Sequence, residues 1–238
     1  MSVSSPDQAA YVEVAGLTVE YRSASGHTVQ ALQDVSLEMA KGAFVVLAGP
    51  SGSGKSTALY VLAGLLHPNS GTVRVGNQQL GTMSPEALAR FRCWNVGFIF
   101  QSFQLLPHLR AWENVALPLI PAGIPSGERR QRACEMLSRL GLGTRINHRP
   151  GELSAGEQQR VAIARATINS PKLVLADEPT GNLDASNSEL VANSLKDLAH
   201  RLEATVICAT HDERLASQAQ VLVRLTHGRI AGVETTST

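Results

Sequence analysis

Apolar residues recur along this chain with two different spacings. Near its start, Tyr11-Val12-Glu13-Val14 and Leu17-Thr18-Val19-Glu20-Tyr21 alternate apolar with polar, the period of half-buried strands. Ser23-Ala24-Ser25-Gly26 predicts a turn, and Val29 to Leu32 and Val35-Ser36-Leu37-Glu38-Met39 predict further short strands. Together these form an antiparallel β lobe, entered from a polar, loose stretch at residues 1–10. From Ala43 the pattern changes. Ala43 to Ala48, Val96 to Phe100, Leu173 to Ala176 and Thr205 to Ala209 are short unbroken apolar runs, read as buried strands. Thr72 to Val75 predicts one more strand, and Val221 to Leu225 with Arg229-Ile230 predicts a closing hairpin about His227-Gly228.

Helices fall between the strands. Ala58 to Ala63 reads as a helix start. Ser84-Pro85-Glu86 opens another, running to about Arg92, with Ser as N-cap, Pro at the first position and Glu in the first turn. Ser126 to Leu140 carries Ala133, Met136, Leu137 and Leu140 on one face at helical spacing. Its charge run Glu128 to Arg132 reads as a solvated face. Further helices are expected over Val161 to Ala166 and Ser186 to Arg201. Leu105, Leu106, Leu109 and Trp112 are more apolar than an exposed loop requires; they either pack on neighbouring helices or form a docking surface.

The chemistry begins with Gly49-Pro50-Ser51-Gly52-Ser53-Gly54-Lys55-Ser56-Thr57, which fits G-x-x-x-x-G-K-[ST] between a buried strand and a helix. Glycines let the backbone curl so that successive N–H groups point at phosphate oxygens, and the helix N-terminus adds positive partial charge. Lys55 reaches the β- and γ-phosphates as a point charge, and Ser56 offers a hydroxyl to Mg²⁺. The ends of the other buried strands are polar. Gln101 follows one, Asp177-Glu178 closes the next and Thr210-His211-Asp212 the last. Two carboxylates at a strand end are costly unless they hold a cation or activate a water. Ser154 stands at a helix start, a second anion site. Tyr21 ends its strand as an edge residue or as a ring that stacks on adenine.

At 238 residues, 43% of them apolar, the chain suits one large α/β domain. A net charge of +1 points to neither nucleic acid nor an anionic membrane, and no nucleic-acid partner is expected. Cys93, Cys134 and Cys208 are widely spaced and form no CxxC pair, which favours buried thiols in a reducing compartment. No apolar run reaches the ~20 residues that span a bilayer. Met1-Ser2-Val3-Ser4-Ser5-Pro6 lacks the features of a secretory signal, so a cytoplasmic location is expected.

Taken in series, the phosphate loop, the strand-end Gln, the Leu153-Ser154-Ala155-Gly156-Glu157 helix start, the Asp-Glu strand end and the Thr-His-Asp strand end resemble the nucleotide-binding subunit of ATP-binding-cassette (ABC) systems. The resemblance covers residues 11–231, leaving 232–238 as a tail and placing a helical lobe at about 102–165. It implies an α/β fold of the P-loop NTPase class, with a mainly parallel core sheet, an antiparallel β lobe and a helical lobe. It implies that Lys55 and Ser56 hold phosphate and Mg²⁺, that Asp177 completes the metal site, and that Gln101 touches the metal or the attacking water. Glu178 would be the base, His211 would contact the γ-phosphate and Tyr21 would stack on adenine. Ser154, Ala155, Gly156 and Glu157 would form the signature that meets ATP held by the other subunit of an ATP-dependent homodimer, with Gly181 to Asp184 along the seam. The family usually has Gly where this chain has Ala155; a left-handed backbone would be strained there, whereas a glycine kept only for close approach would tolerate a methyl.

A narrower resemblance lies in Phe98-Ile99-Phe100-Gln101, Leu105-Leu106-Pro107, Glu113-Asn114-Val115, Leu117-Pro118 and Gly181-Asn182-Leu183-Asp184. These look like the lipoprotein-releasing and macrolide-exporting ATPases, which implies a separate integral-membrane permease as partner and a peripheral place on the cytoplasmic face of the membrane. The alternatives are an ABC ATPase acting on ribosomes, usually with two cassettes in one chain, and a regulatory ATPase of cell division.

Overall fold

The computed structural model describes residues 10–22 and 26–236. Residues 1–9, the first three positions of the expected turn at 23–26, and residues 237–238 lie outside the described residues. Strand β1 (Ala10–Arg22) pairs antiparallel with β2 (Thr28–Ala40). Each merges two of the short strands expected from the alternation. The breaks in the pattern are bulges: Gly16 has φ 61° and Asp34 φ 51°, so the register shifts while pairing continues. Strand β3 (Phe44–Ala48) leads through the glycine turn to helix α1 (Lys55–Leu62). Then come β4 (Ser70–Val75), β5 (Gln78–Gln79) and α2 (Pro85–Asn95), which Ser84 caps by accepting from the Ala87 amide.

Strand β6 (Val96–Ile99) is followed by the helical segment: α3 (Ala111–Ala116), a 3₁₀ turn at Leu117–Leu119, α4 (Ser126–Arg139) and α5 (Ala155–Thr167). The chain closes with β7 (Leu173–Asp177), α6 (Ala185–Leu202), β8 (Thr205–Thr210), α7 (Glu213–Ala216), β9 (Val221–Thr226) and β10 (Arg229–Thr235). The last strand therefore runs past residue 231, and Thr235 pairs with Val221, where a tail was expected.

Two sheets result. The antiparallel one has the order β2-β1-β4-β5, so half of the β lobe comes from beyond the glycine turn. The other has the order β10-β9-β3-β8-β7-β6, parallel from β9 to β6. One apolar cluster takes Val12, Leu17 and Val73 from the first sheet, Leu59 and Leu62 from α1, and Val45, Leu175 and Ile207 from the second. A second cluster covers the opposite face, where Val46, Val174 and Val206 meet Ile163, Val191 and Leu195. The third holds the helical lobe together through Val115, Leu119, Ala133, Leu137 and Val161.

Leu105 and Trp112, expected either to pack or to dock, pack on this third cluster, and the Arg130 guanidinium lies 5.4 Å above the Trp112 ring. Leu106 stays 39% exposed. In the charge run, Glu128 pairs with Arg132 one turn on, on the exposed face of α4. Of the three thiols only Cys208 is fully buried, which pushes its pKa up; Cys93 and Cys134 are half-buried.

Candidate active site

The parallel strands all end at one edge of the sheet. There Ala48 lies opposite Thr210, Asp177 opposite Ala209, and Ile99 opposite Ala176. Residues far apart in sequence thus arrive side by side: the glycine turn after β3, Asp177-Glu178 at the end of β7, Thr210-His211 at the end of β8 and Gln101 just past β6. Ligands of open α/β sheets collect at such an edge.

Gly54 is the N-cap of α1. Its φ is 101°, and a Cβ there would sit 2.3 Å from the Ala31 carbonyl oxygen, so both backbone shape and close approach demand glycine. Having no side chain, it leaves the first-turn N–H groups of α1 without a side-chain acceptor, and these with the helix dipole suit an anion. Lys55, only 6% exposed, donates from Nζ to the carbonyls of Gly49 at 2.8 Å and Pro50 at 3.0 Å. The Ser53 hydroxyl is buried in the loop without a hydrogen-bond partner. The Thr57 hydroxyl lies 3.5 Å from that of Tyr21, so the half-exposed aromatic stands beside the last residue of the loop.

The Ser56 hydroxyl donates to Asp177 Oδ1 at 2.9 Å. Burial holds the Asp177 carboxyl above the usual aspartate range, and the Glu178 charge adds to the rise, while the Ser56 bond and Lys55 oppose it. A buried carboxylate with this balance gains from a cation. Ser56 and Asp177 provide adjacent hard oxygen donors, and one carboxylate suffices for Mg²⁺ when phosphates supply further ligands. The residues present fit that ion.

Glu178 adopts φ 45°. Its Oε2 accepts from the Thr210 hydroxyl at 3.1 Å, and its Oε1 lies 2.9 Å from His211 Nδ1. A carboxylate only accepts, so Nδ1 carries the hydrogen and Nε2 of a neutral ring is left as acceptor. The glutamate side chain is 12% exposed and that of the histidine 63%, so the imidazole covers the carboxylate on the solvent side.

Ser154 caps α5: its Oγ accepts from the Glu157 amide, and the Glu157 carboxylate accepts from the Ser154 amide at 2.8 Å. Arg145 adds an ion pair to Glu157 at 2.9 Å. The Ser154 amide bond first, then Arg145, holds the Glu157 carboxyl below its usual range. Ala155 is the exposed first residue of the helix and is absent from the residues with positive φ, so its methyl meets no strain. Gly156 is buried and has no room for a side chain, since a Cβ there would lie 2.4 Å from Asn187 Oδ1 on α6. Among the described residues no hydrogen bond or ion pair joins this signature to the glycine turn.

Further links run between the elements at this edge; Asn182 was expected in the seam turn, whereas the sequence assigned no role to Arg165 or Gln159. Asn182 Nδ2 donates to the Gln101 backbone carbonyl at 2.9 Å. Arg165, half-buried on α5, donates to the carbonyls of Phe103, at 2.6 Å, and Gln104, both of them left-handed. Burial lowers the Arg165 pKa. Gln159, also on α5, donates to the Pro179 carbonyl at 2.8 Å. One signal was present: Gln159 precedes the buried Ile163 by four residues and so lies on the same helix face.

A family model described as ABC transporter matches residues 32–181. This chain belongs to that family. As an ABC-type ATPase cassette it is 47% identical over 87% of its length to an uncharacterized ABC transporter ATP-binding protein of Thermotoga maritima, covering 88% of that protein. It is 46% identical over 92% of its length to the lipoprotein-releasing system ATP-binding protein LolD of Geobacter metallireducens, covering 97% of it. To the macrolide export ATP-binding/permease protein MacB of Burkholderia thailandensis it is 48% identical over 86% of its length, but it spans only 31% of that longer chain. The ABC cassette MJ0796, solved as a dimer in a post-hydrolysis state with ADP and Pi, superposes with a TM-score of 0.88 at 38% identity, over 95% of this chain and 99% of that one. No helix among the described residues is long and apolar enough to cross a membrane.

Proposed function

We propose that this ABC ATPase hydrolyses ATP at the sheet edge and drives a separate integral-membrane permease of the lipoprotein-releasing or macrolide-exporting type. The observation that carries the chemistry is the run Ser56–Asp177, Glu178–His211 beside the glycine turn, with two of its contacts at 2.9 Å. The glycine turn, from Gly49 through Pro50, Ser51, Gly52, Ser53 and Gly54 to Thr57, wraps the phosphates with its amides, and Lys55 exchanges its two loop carbonyls for phosphate oxygens. Tyr21 faces the base of the nucleotide. Ser56 and Asp177, with Gln101, are the residues that would hold Mg²⁺. When bound, that ion neutralises charge on the phosphate oxygens. Glu178 polarises the attacking water, and His211 meets the γ-phosphate as a hydrogen-bond donor, its N–H turning from the glutamate carboxylate to a phosphate oxygen.

Ser154 and Gly156 serve the ATP held by a second copy, in a head-to-tail pair with residues 181–184 along the seam. The dimeric state of MJ0796 supports this arrangement. Resemblance to LolD and MacB supports the permease partner and a place on the cytoplasmic face of the membrane. The cassette occupies residues 11–231 and continues through the β10 pairing to Thr235.

Glu178→Gln tests the assignment. Removing a general base costs on the order of 10²–10⁴ in rate. ATP binding survives, and an ATP-bound dimer accumulates. A Glu178→Gln protein that keeps half the wild-type ATPase rate refutes the role.

A further inference from the structure

Gln159 is 1% exposed, on a part of α5 where Ala162 and Ile163 are equally buried. The Pro179 carbonyl it contacts can only accept, so the amide NH₂ must face it and Oε1 must face away. That Oε1 is buried without a hydrogen-bond partner. Leaving a buried amide oxygen unpaired costs stability, and an apolar side chain of equal size would avoid the cost. Packing alone therefore does not call for glutamine here.

What the bond secures is the backbone next to Glu178. A φ of 45° is uncommon for a residue with a side chain, and the proline that follows restricts it further. Such a conformation persists only where its surroundings over-determine it. From β8, the Ala209 carbonyl accepts from the Glu178 amide at 2.8 Å. From its own turn, the Gly181 amide donates to the Glu178 carbonyl at 3.1 Å. Gln159 fastens the same unit from the helical lobe, on the helix that begins at Ser154.

We propose that Gln159 is a positioning residue for Glu178: by holding the Pro179 carbonyl it keeps the left-handed peptide in place and ties the aim of the carboxylate to the attitude of α5. The inference rests on Glu178 acting as the base. It assigns α5 two tasks in one subunit, presenting Ser154 outward and steadying Glu178 inward.

The test uses Gln159→Met, which keeps volume and removes the donor, in the full chain. Steady-state ATPase should show kcat lowered about tenfold and KM for ATP within about twofold, since only a group acting in the transition state is disturbed. The discriminating measurement is a cycle with Glu178→Gln under single-turnover conditions. If Gln159 acts through Glu178, Gln159→Met should slow the Glu178→Gln protein by less than about twofold, because contacts acting as one unit are not additive. A lesion of the fold would multiply the two losses instead, and that result overturns the proposal, as does an unchanged kcat in Gln159→Met. If Gln159→Met fails to fold, Gln159→Leu, which also lacks the donor and buries no charge, goes through the same cycle and is judged by the same outcomes. An active Glu178→Gln protein would refute the base itself. Loss of activity in Glu178→Gln beside an unaffected Gln159→Met refutes only the positioning role.

Discussion

Gly156→Ala separates two reasons for a glycine at the start of α5. Gly156 is not among the glycines with positive φ, so its backbone accepts any residue. The obstacle is Asn187: an added Cβ would lie 2.4 Å from its Oδ1 and 2.7 Å from its Cγ. A flexible side chain would step aside, but Asn187 donates from Nδ2 to Asp184 Oδ2 at 2.8 Å and from its amide to Oδ1 at 2.9 Å. Moving the amide breaks the first of these bonds, a loss of about 0.5–1.5 kcal/mol. Overpacking adds about 1–3 kcal/mol. Against this, alanine is better than glycine in a helix by up to ~1 kcal/mol. The net effect is a destabilisation of about 0.5–3.5 kcal/mol, at roughly 2–4 °C of Tm per kcal/mol in a chain of this size. Asn187→Ala deletes every atom that the new methyl would strike. In that background the helix term alone remains, and Gly156→Ala should be neutral or stabilising by up to ~1 kcal/mol. Urea unfolding of the four proteins measures the cycle. A substitution that destabilises equally in both backgrounds would refute the contact argument and return the cause to backbone conformation.

Ala155→Gly should lower Tm by about 1–4 °C, because an exposed, unstrained helix residue loses propensity and gains no room; a higher Tm would mean that the position prefers a left-handed backbone. Glu157 titrates below the ordinary glutamate value of 4.5 in the folded chain, owing first to the Ser154 amide and then to Arg145. Its contribution is therefore present above pH 4.5 and disappears as pH falls through the depressed folded value. The Tm gap between wild type and Glu157→Gln should close over that window, and a gap independent of pH between 7 and 3 would contradict the linkage.

The parallel strands were legible because each is an unbroken apolar run closed by a polar group, and that polar group is the chemistry. Asp177, Glu178 and His211 could be placed at strand ends before any coordinates, and the structure puts all three at one edge. The β lobe was half legible. Local alternation marked β1 and β2 but took the bulges at Gly16 and Asp34 for ends, and nothing local says that β4 pairs with β1. Leu105 and Trp112 were undecidable because an apolar side chain reads alike whether it packs within the chain or waits for a partner. Gln159, Arg165 and Asn187 escaped for a related reason: each acts through contact with a backbone or side chain many positions away.

The hairpin at the end of the chain has a consequence for the order of synthesis. Strand β3 lies between β8 and β9, and Ala48 faces Thr210 on one side and Arg224 on the other. The Gly228 amide donates to the Ser53 carbonyl, and the Gln33 amide to that of Gly228. The glycine turn emerges from the ribosome well before the backbone that braces it. At ~5–20 residues per second, seconds pass in which the turn exists without its walls. Until β9 and β10 are made, β3 lacks one of its two neighbours and the Ser53 carbonyl lacks its Gly228 donor.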